Sequence, residues 1–76
     1  MPVVALLAGI KIEIYFNDHA PPHVHAKYAE YEALLTIRGA LVYAGHLPAK
    51  QLKQAQQYVS DNQETLLSRW KQYNLN

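Results

Sequence analysis

Three of the four histidines in this 76-residue chain fall close together, beside an aspartate and a Pro-Pro step. His19, His23 and His25 follow the spacing H-x3-H-x-H, and Asp18 directly precedes the first of them. Imidazole changes its protonation near neutral pH, binds transition metals and transfers protons. A carboxylate next to an imidazole commonly orients the ring. This segment therefore contains the candidate residues for metal binding or proton transfer.

The same spacing is compatible with a metal site. If a strand begins at His23, then His23 and His25 leave the same face with their Cα atoms about 6.7 Å apart. Both rings can then reach one ion, and His19, held by the turn at Pro21-Pro22, can close on it as a third ligand. Three imidazoles plus water suit Zn²⁺, whereas two imidazoles and the Asp18 carboxylate suit Fe²⁺. We expect a divalent transition metal at His19, His23 and His25, with Asp18 as a ligand or as the acceptor that orients a ring.

Three other interpretations of the segment stay open. Metal-free acid–base cleavage of RNA would use His19, His23 and Asp18 as catalytic candidates. A structural role would have Asp18 accept backbone N–H groups within the turn. A contact surface for a protein partner, or less readily for nucleic acid, would consist of Asn17, Asp18, His19, His23, His25 and Lys27.

The elements around the segment follow from hydrophobic periodicity. Strict alternation predicts a strand over residues 10–16 with its apolar side at Ile10, Ile12, Ile14 and Phe16. Further strands are predicted from His23, over about 33–38 and over 41–44, which together form an antiparallel meander. Pro48 suits the first position of a helix. The apolar stripe beyond it predicts two helices with a break near residue 61, or one long kinked helix.

The predicted fold is therefore α+β, a single domain over residues 1–76. A meander of about four strands carries a C-terminal helix or two helices on one face, and the other face, with His23, His25 and Lys27, is open. Asp61 and Glu64 have the spacing of a capping box at the start of a second helix. Because the core of so small a chain is limited, we expect a homodimer or a neighbouring protein to cover the open face.

Composition narrows the function classes. Seven Lys and Arg against six Asp and Glu leave a net charge of +1, too little for a protein whose main task is to grip a phosphate backbone. The chain has no cysteine, so disulfides and thiolate chemistry are excluded. The apolar residues 1–10 lack a basic leading region, and no stretch has the length of a membrane span. We expect a cytoplasmic protein.

The run N-D-H-x-P-P-H-x-H-A over residues 17–26 resembles a family of small bacterial proteins, domain of unknown function 4160. The resemblance continues through Tyr31-Glu32-Ala33, Gly45-His46-Leu47-Pro48 and the late segment 64–70. It implies a stand-alone domain, often encoded beside a second small protein, associated with toxin–antitoxin-like pairs and without an established cofactor. The leading functional prediction is an interaction module of such a pair that uses the segment Asp18–His25. The alternative is a metal-dependent or histidine-based hydrolase, with RNA as the substrate.

Overall fold

The structure is a computed structural model that describes residues 3–16 and 18–74. Five antiparallel strands form one sheet in the order β1-β2-β3-β4-β5, a simple meander, and two helices follow. The elements are β1 (Val3–Leu7), β2 (Ile10–Glu13), β3 (His23–Tyr28), β4 (Tyr31–Thr36), β5 (Val42–His46), α1 (Ala49–Asp61) and α2 (Gln63–Tyr73). The predicted α+β class is confirmed.

The predicted count of about four strands is one too low, because β1 was not recognised as a strand. Its sequence, VVALL, is apolar throughout and shows no alternation of period two. A tight turn at Ala8 and Gly9, with φ of 49° and 78°, joins it to β2. Positive φ at both positions is typical of the two-residue turn that best matches the twist of a hairpin. The turn chemistry, and not the strand pattern, was therefore the usable signal.

The core lies between one face of the sheet and the helices. Alternate positions of the three central strands point into it and are completely buried: Ile10, Ile12, Val24, Ala26, Ala33 and Leu35. From the helices, the buried side chains are Ala55, Val59, Leu66 and Trp70. Ile14, just beyond β2, is still completely buried, but Phe16, predicted to lie with the isoleucines, is 58% exposed because the chain turns away from the sheet after it.

The helical region consists of two helices, so the first of the two predicted alternatives is confirmed. The predicted capping box is wrong: Asn62 occupies the junction, and no side chain caps the start of α2. The Asn62 side chain turns back to α1 and donates to the Tyr58 carbonyl at 2.9 Å. Neither described helix combines the length and the apolar composition that a membrane crossing requires.

Candidate metal centre

Asp18, His23 and His25 meet at the start of β3. Strand periodicity places both imidazoles on one face, and the loop after β2 brings the carboxylate to them. Asp18 Oδ2 lies 2.9 Å from Nε2 of His23 and 3.1 Å from Nε2 of His25. Each of the three side chains offers one possible ligand atom, and these three atoms lie within 4.8 Å of one another. A single carboxylate oxygen thus stands between two ring nitrogens.

The second nitrogen of each ring is already engaged. Nδ1 of His23 lies 2.8 Å from the Pro21 carbonyl oxygen, and Nδ1 of His25 lies 2.9 Å from Oε2 of Glu32. A carbonyl oxygen and a carboxylate oxygen only accept, so each Nδ1 must carry the proton and donate it. In a neutral imidazole this leaves Nε2 with a free lone pair, the form in which histidine binds a metal.

Asp18 is ionised at neutral pH. Burial by itself would raise the pKa of its carboxyl group. When the rings carry a second proton, the Nε2–H of His25 donates to the carboxylate and the charges of both rings act in the opposite direction, as does the backbone N–H of His19; the net result is a pKa below the ordinary value of 3.8. The His19 N–H donates to Oδ1 at 3.0 Å, which leaves Oδ2 to face the two rings.

An ionised carboxylate oxygen facing two Nε2 atoms requires positive charge between them. One or both rings take a second proton and pair with Asp18, or one cation is shared by all three atoms. Two imidazolium rings would stand with their centroids 5.1 Å apart, one of them on a residue that is only 2% exposed. Burying like charges together is costly. The arrangement therefore accommodates one positive charge, either a proton on one ring or a cation shared by the three side chains.

Aromatic side chains enclose both histidines. The His23 ring lies 5.1 Å from the Trp70 ring and 5.4 Å from the Tyr43 ring, centroid to centroid. Tyr15 stacks on His25 at 4.2 Å, with an angle of 20° between the planes. The expectation of an open face is therefore wrong at His23, because α2 and β5 cover its ring. The His25 side chain is 12% exposed.

A second polar cluster lies beside the first, on Glu13, Tyr15 and Lys27. The Lys27 ammonium lies 3.1 Å from Oε1 of Glu13 and donates to the Tyr15 hydroxyl at 2.7 Å. That hydroxyl in turn donates to Oε1 of Glu13 at 2.8 Å. Hydrogen bonds to Tyr15 and Glu13 raise the pKa of Lys27. The ammonium and the carboxylate balance each other, so this cluster is complete without a ligand.

The structure distributes the predicted site residues unequally. Asp18, His23 and His25 come together, which is the two-imidazole and one-carboxylate set that the sequence left open. His19 is exposed and stands outside the group, so the three-histidine set is not assembled. Lys27 belongs to the neighbouring ion pair, and Asn17 lies outside the described residues.

Two residues of the site were not predicted. Glu32 lies diagonally across the β3–β4 hairpin from His25, since the register pairs Lys27 with Glu32. A correct hairpin register would have placed this carboxylate within reach. Asn74 holds the loop that carries Asp18, from a position 56 residues further along the chain. Nothing local in the sequence indicates that contact.

The model of a protein family described as Domain of unknown function (DUF4160) matches residues 9–71. The chain belongs to this family. The match spans the strands from β2 onward and includes Asp18, His23, His25 and Glu32. No curated protein and no solved structure matches the chain significantly. The resemblance inferred from the histidine motif is thereby confirmed, and the family description assigns no activity.

Proposed function

We propose that this domain binds one divalent transition-metal ion through Asp18, His23 and His25. One observation carries the proposal: both Nδ1 atoms donate to oxygen acceptors, while both Nε2 atoms converge on the same carboxylate oxygen. In metal sites, the hydrogen bond made by one ring nitrogen determines which nitrogen is free to bind the ion. Carbonyl and carboxylate acceptors behind the ligating histidines are the usual partners.

The separations of the donor atoms bear on which ion fits. Ligands about 2.1 Å from one ion lie about 3.0 Å apart along an octahedral edge and about 3.4 Å apart along a tetrahedral edge. The two measured separations are 2.9 and 3.1 Å. They are compatible with an octahedral ion, in the manner of the two-histidine, one-carboxylate sites of Fe²⁺, and are also ordinary hydrogen-bond lengths. Tetrahedral Zn²⁺ would require the three side chains to move slightly apart.

The test is a calorimetric titration of Ni²⁺, Co²⁺, Fe²⁺ and Zn²⁺ into metal-stripped protein without a histidine tag. We expect one equivalent to bind with a micromolar or lower Kd. The single tryptophan, Trp70, packs against His23, so its fluorescence should change at the same equivalence point. Circular dichroism confirms that each variant is folded at the titration temperature.

Four substitutions separate this site from adventitious binding. His23→Ala and His25→Ala each remove a proposed ligand and should weaken binding by more than about 100-fold. His19→Ala and His46→Ala remove exposed histidines outside the group and should leave Kd within about threefold of wild type. Wild-type protein that binds none of the ions, or binding that survives His23→Ala and His25→Ala unchanged, would contradict the proposal.

Hydrolysis is the activity such a site can support. An ion held by three side chains keeps positions for water, and metal-bound water attacks phosphate esters. No cavity opens within residues 3–16 and 18–74. RNA is the substrate we propose. Wild type with one equivalent of metal ion should cleave single-stranded RNA, and His25→Ala given the same amount of metal ion should not; an inactive metal-loaded wild type would contradict the hydrolase role and leave metal binding standing.

A second candidate function is an interaction module, and the exposed edge of β5 favours it. Every residue of β5 is exposed, and Leu41 just before it is 62% exposed. No Asp, Glu, Lys or Arg occurs from residue 39 to 49, although charged side chains usually protect a sheet edge. We propose that a second copy of the chain pairs there, β5 against β5. In contrast, the predicted contact segment Asp18–His25 includes the buried His23.

Light scattering after size exclusion tests the dimer. We expect a mass near twice 8.7 kDa at about 100 μM, and a return to the monomer mass in Val42→Lys, which places a charge on the edge. Ser60→Lys, on the exposed side of α1, is the matched control. A monomeric wild type would contradict the dimer and direct the search to the small protein encoded nearby that the family resemblance implies.

A further inference from the structure

The last turn of α2 reaches the loop that carries Asp18. Asn74, the residue that follows α2, accepts the Asp18 backbone N–H at its Oδ1, with 2.6 Å between the heavy atoms. Its Nδ2 donates to the carbonyl oxygens of Tyr15 at 3.2 Å and of Trp70 at 3.1 Å. The amide therefore uses both of its hydrogens and its oxygen, and joins the helix end to both ends of the segment 15–18.

These contacts bear directly on the metal ligands. Asp18 lies in a loop between β2 and β3 and has no strand partner to fix its backbone. The Asn74 bonds hold the backbone at Tyr15 and at Asp18. Trp70, one turn earlier on α2, packs against the His23 ring. The C-terminal end of α2 thus contacts two of the three proposed ligands, Asp18 through its backbone and His23 through its ring.

The chain contains a matched counterpart at the end of α1. Asn62 ends α1 with φ −122° and ψ 26°, and Asn74 ends α2 with φ −126° and ψ 25°. Each side chain donates to the carbonyl four residues earlier, Asn62 to Tyr58 and Asn74 to Trp70. Only Asn74 also bonds to Tyr15 and Asp18. Comparing the two residues separates helix capping from an effect on the loop.

We propose that Asn74 is a positioning residue for the Asp18–His23–His25 centre, so that docking of the α2 C-terminal turn sets its metal affinity. The inference rests on the proposed metal binding. Asn74 orients the Asp18 backbone, and through it the direction in which Oδ2 points. Because coupling between two sites is reciprocal, a bound ion also strengthens docking of this turn. Residues that orient a metal ligand typically change the affinity by about 10- to 100-fold.

The experiment measures the Ni²⁺ Kd of wild type, Asn74→Ala, Asn74→Asp and Asn62→Ala under conditions where each is fully folded. Asn74→Ala should bind about 10-fold more weakly than wild type. Asn62→Ala loses a similar capping bond and should stay within about threefold. Asn74→Asp keeps an acceptor for the Asp18 N–H but loses both donors to the Tyr15 and Trp70 carbonyls, so it should recover the affinity only in part. The visible spectrum of the Co²⁺ form should differ from wild type in Asn74→Ala but not in Asn62→Ala, since a displaced carboxylate changes the ligand field.

The outcomes are distinguishable. If wild type binds Ni²⁺ and His23→Ala does not, but Asn74→Ala and Asn62→Ala have the same Kd and the wild-type Co²⁺ spectrum, then Asn74 only caps its helix and the positioning role is wrong. If wild type binds neither ion, the metal centre itself is wrong and the positioning role falls with it. An Asn74→Ala variant that unfolds is replaced by Asn74→Asp and Asn74→Ser, which are judged by the same two measurements.

Discussion

Two polar clusters occupy neighbouring positions beside β2 and β3, and they differ in how their charges are balanced. In Glu13–Tyr15–Lys27, the polar groups bond to one another, and the Lys27 ammonium neutralises the Glu13 carboxylate. In Asp18–His23–His25, the ring protons are committed elsewhere, and three electron-rich atoms face one another. A closed ion pair and the group that we propose to bind a metal ion thus lie a few ångströms apart.

The difference separates a cluster that supports the fold from one that we propose to bind a metal ion. Glu13 is 2% exposed, so its carboxylate depends on Lys27 and Tyr15 for compensation. The histidine cluster is compensated only when protons or a metal ion are added. Disturbing the first cluster should therefore change stability, whereas disturbing the second should change metal affinity.

The largest effect on stability is expected from Lys27→Met. This substitution keeps the aliphatic stem but leaves Glu13 buried with the Tyr15 hydroxyl as its remaining partner. We expect the free energy of unfolding in urea to fall by about 1–3 kcal/mol, while the Ni²⁺ Kd changes by less than about threefold. Lys53→Met, at an exposed position of α1, is the control and should be close to neutral. A stable Lys27→Met variant with impaired metal binding would reverse the roles of the two clusters.

Glu32→Gln should have a smaller effect and the reverse selectivity: it should weaken metal binding and leave stability almost unchanged. Glu32 accepts the Nδ1–H of His25 and is 44% exposed. The neutral amide accepts more weakly, so we expect the Ni²⁺ Kd to rise about 10-fold, with the unfolding free energy changed by less than about 0.5 kcal/mol. Glu30→Gln, in the turn of the same hairpin, removes the same charge without touching His25. Equal affinities for the two variants would show that Glu32 does not support the ligand.

The smallest expected effect is a pH dependence of the stability that Glu13 contributes to the fold. Burial by itself would raise the pKa of Glu13, but hydrogen bonds from Tyr15 and Lys27 and the charge of Lys27 lower it below 4.5. A carboxyl group with a lowered folded-state pKa stabilises the fold fully above its unfolded pKa, and this contribution is lost as the pH falls through the folded value. The stability difference between wild type and Glu13→Gln should therefore be constant above about pH 5 and shrink below 4.5. Urea unfolding between about pH 3 and pH 6 measures it, and a difference that did not change with pH would place the stabilising charge elsewhere.

Much of the fold could be predicted because its signals are local. Alternation at Ile10 and Ile12 reports which side of β2 is buried, and the apolar stripe after Pro48 reports the helices. The missed strand β1 lacks alternation, and the wrong cap at Asp61 reflects a spacing that Asn62 overrides by bonding back to α1. Strand β1 therefore offered no periodic signal, and the cap spacing at Asp61 was overruled by a hydrogen bond that spacing alone does not reveal.

The candidate site was predicted only in part for the same reason. His23 and His25 share a face because successive side chains of any strand alternate, which the chain determines by itself. Whether Asp18 or His19 joins them depends on the path of the loop, and the loop is held by Asn74 from the far end of the chain.

The sequence by itself determined the family, the α+β class, the boundaries of the central strands within a few residues, and the pairing of two histidines on one face. Each of these follows from the periodicity of backbone geometry or from a contiguous motif. Only the tertiary structure decided that His23 is covered by Trp70, that Glu32 stands behind His25, and that Asp18 completes the set. These depend on strand register and on packing between distant elements, where the free energy of each contact depends on where the rest of the chain has folded.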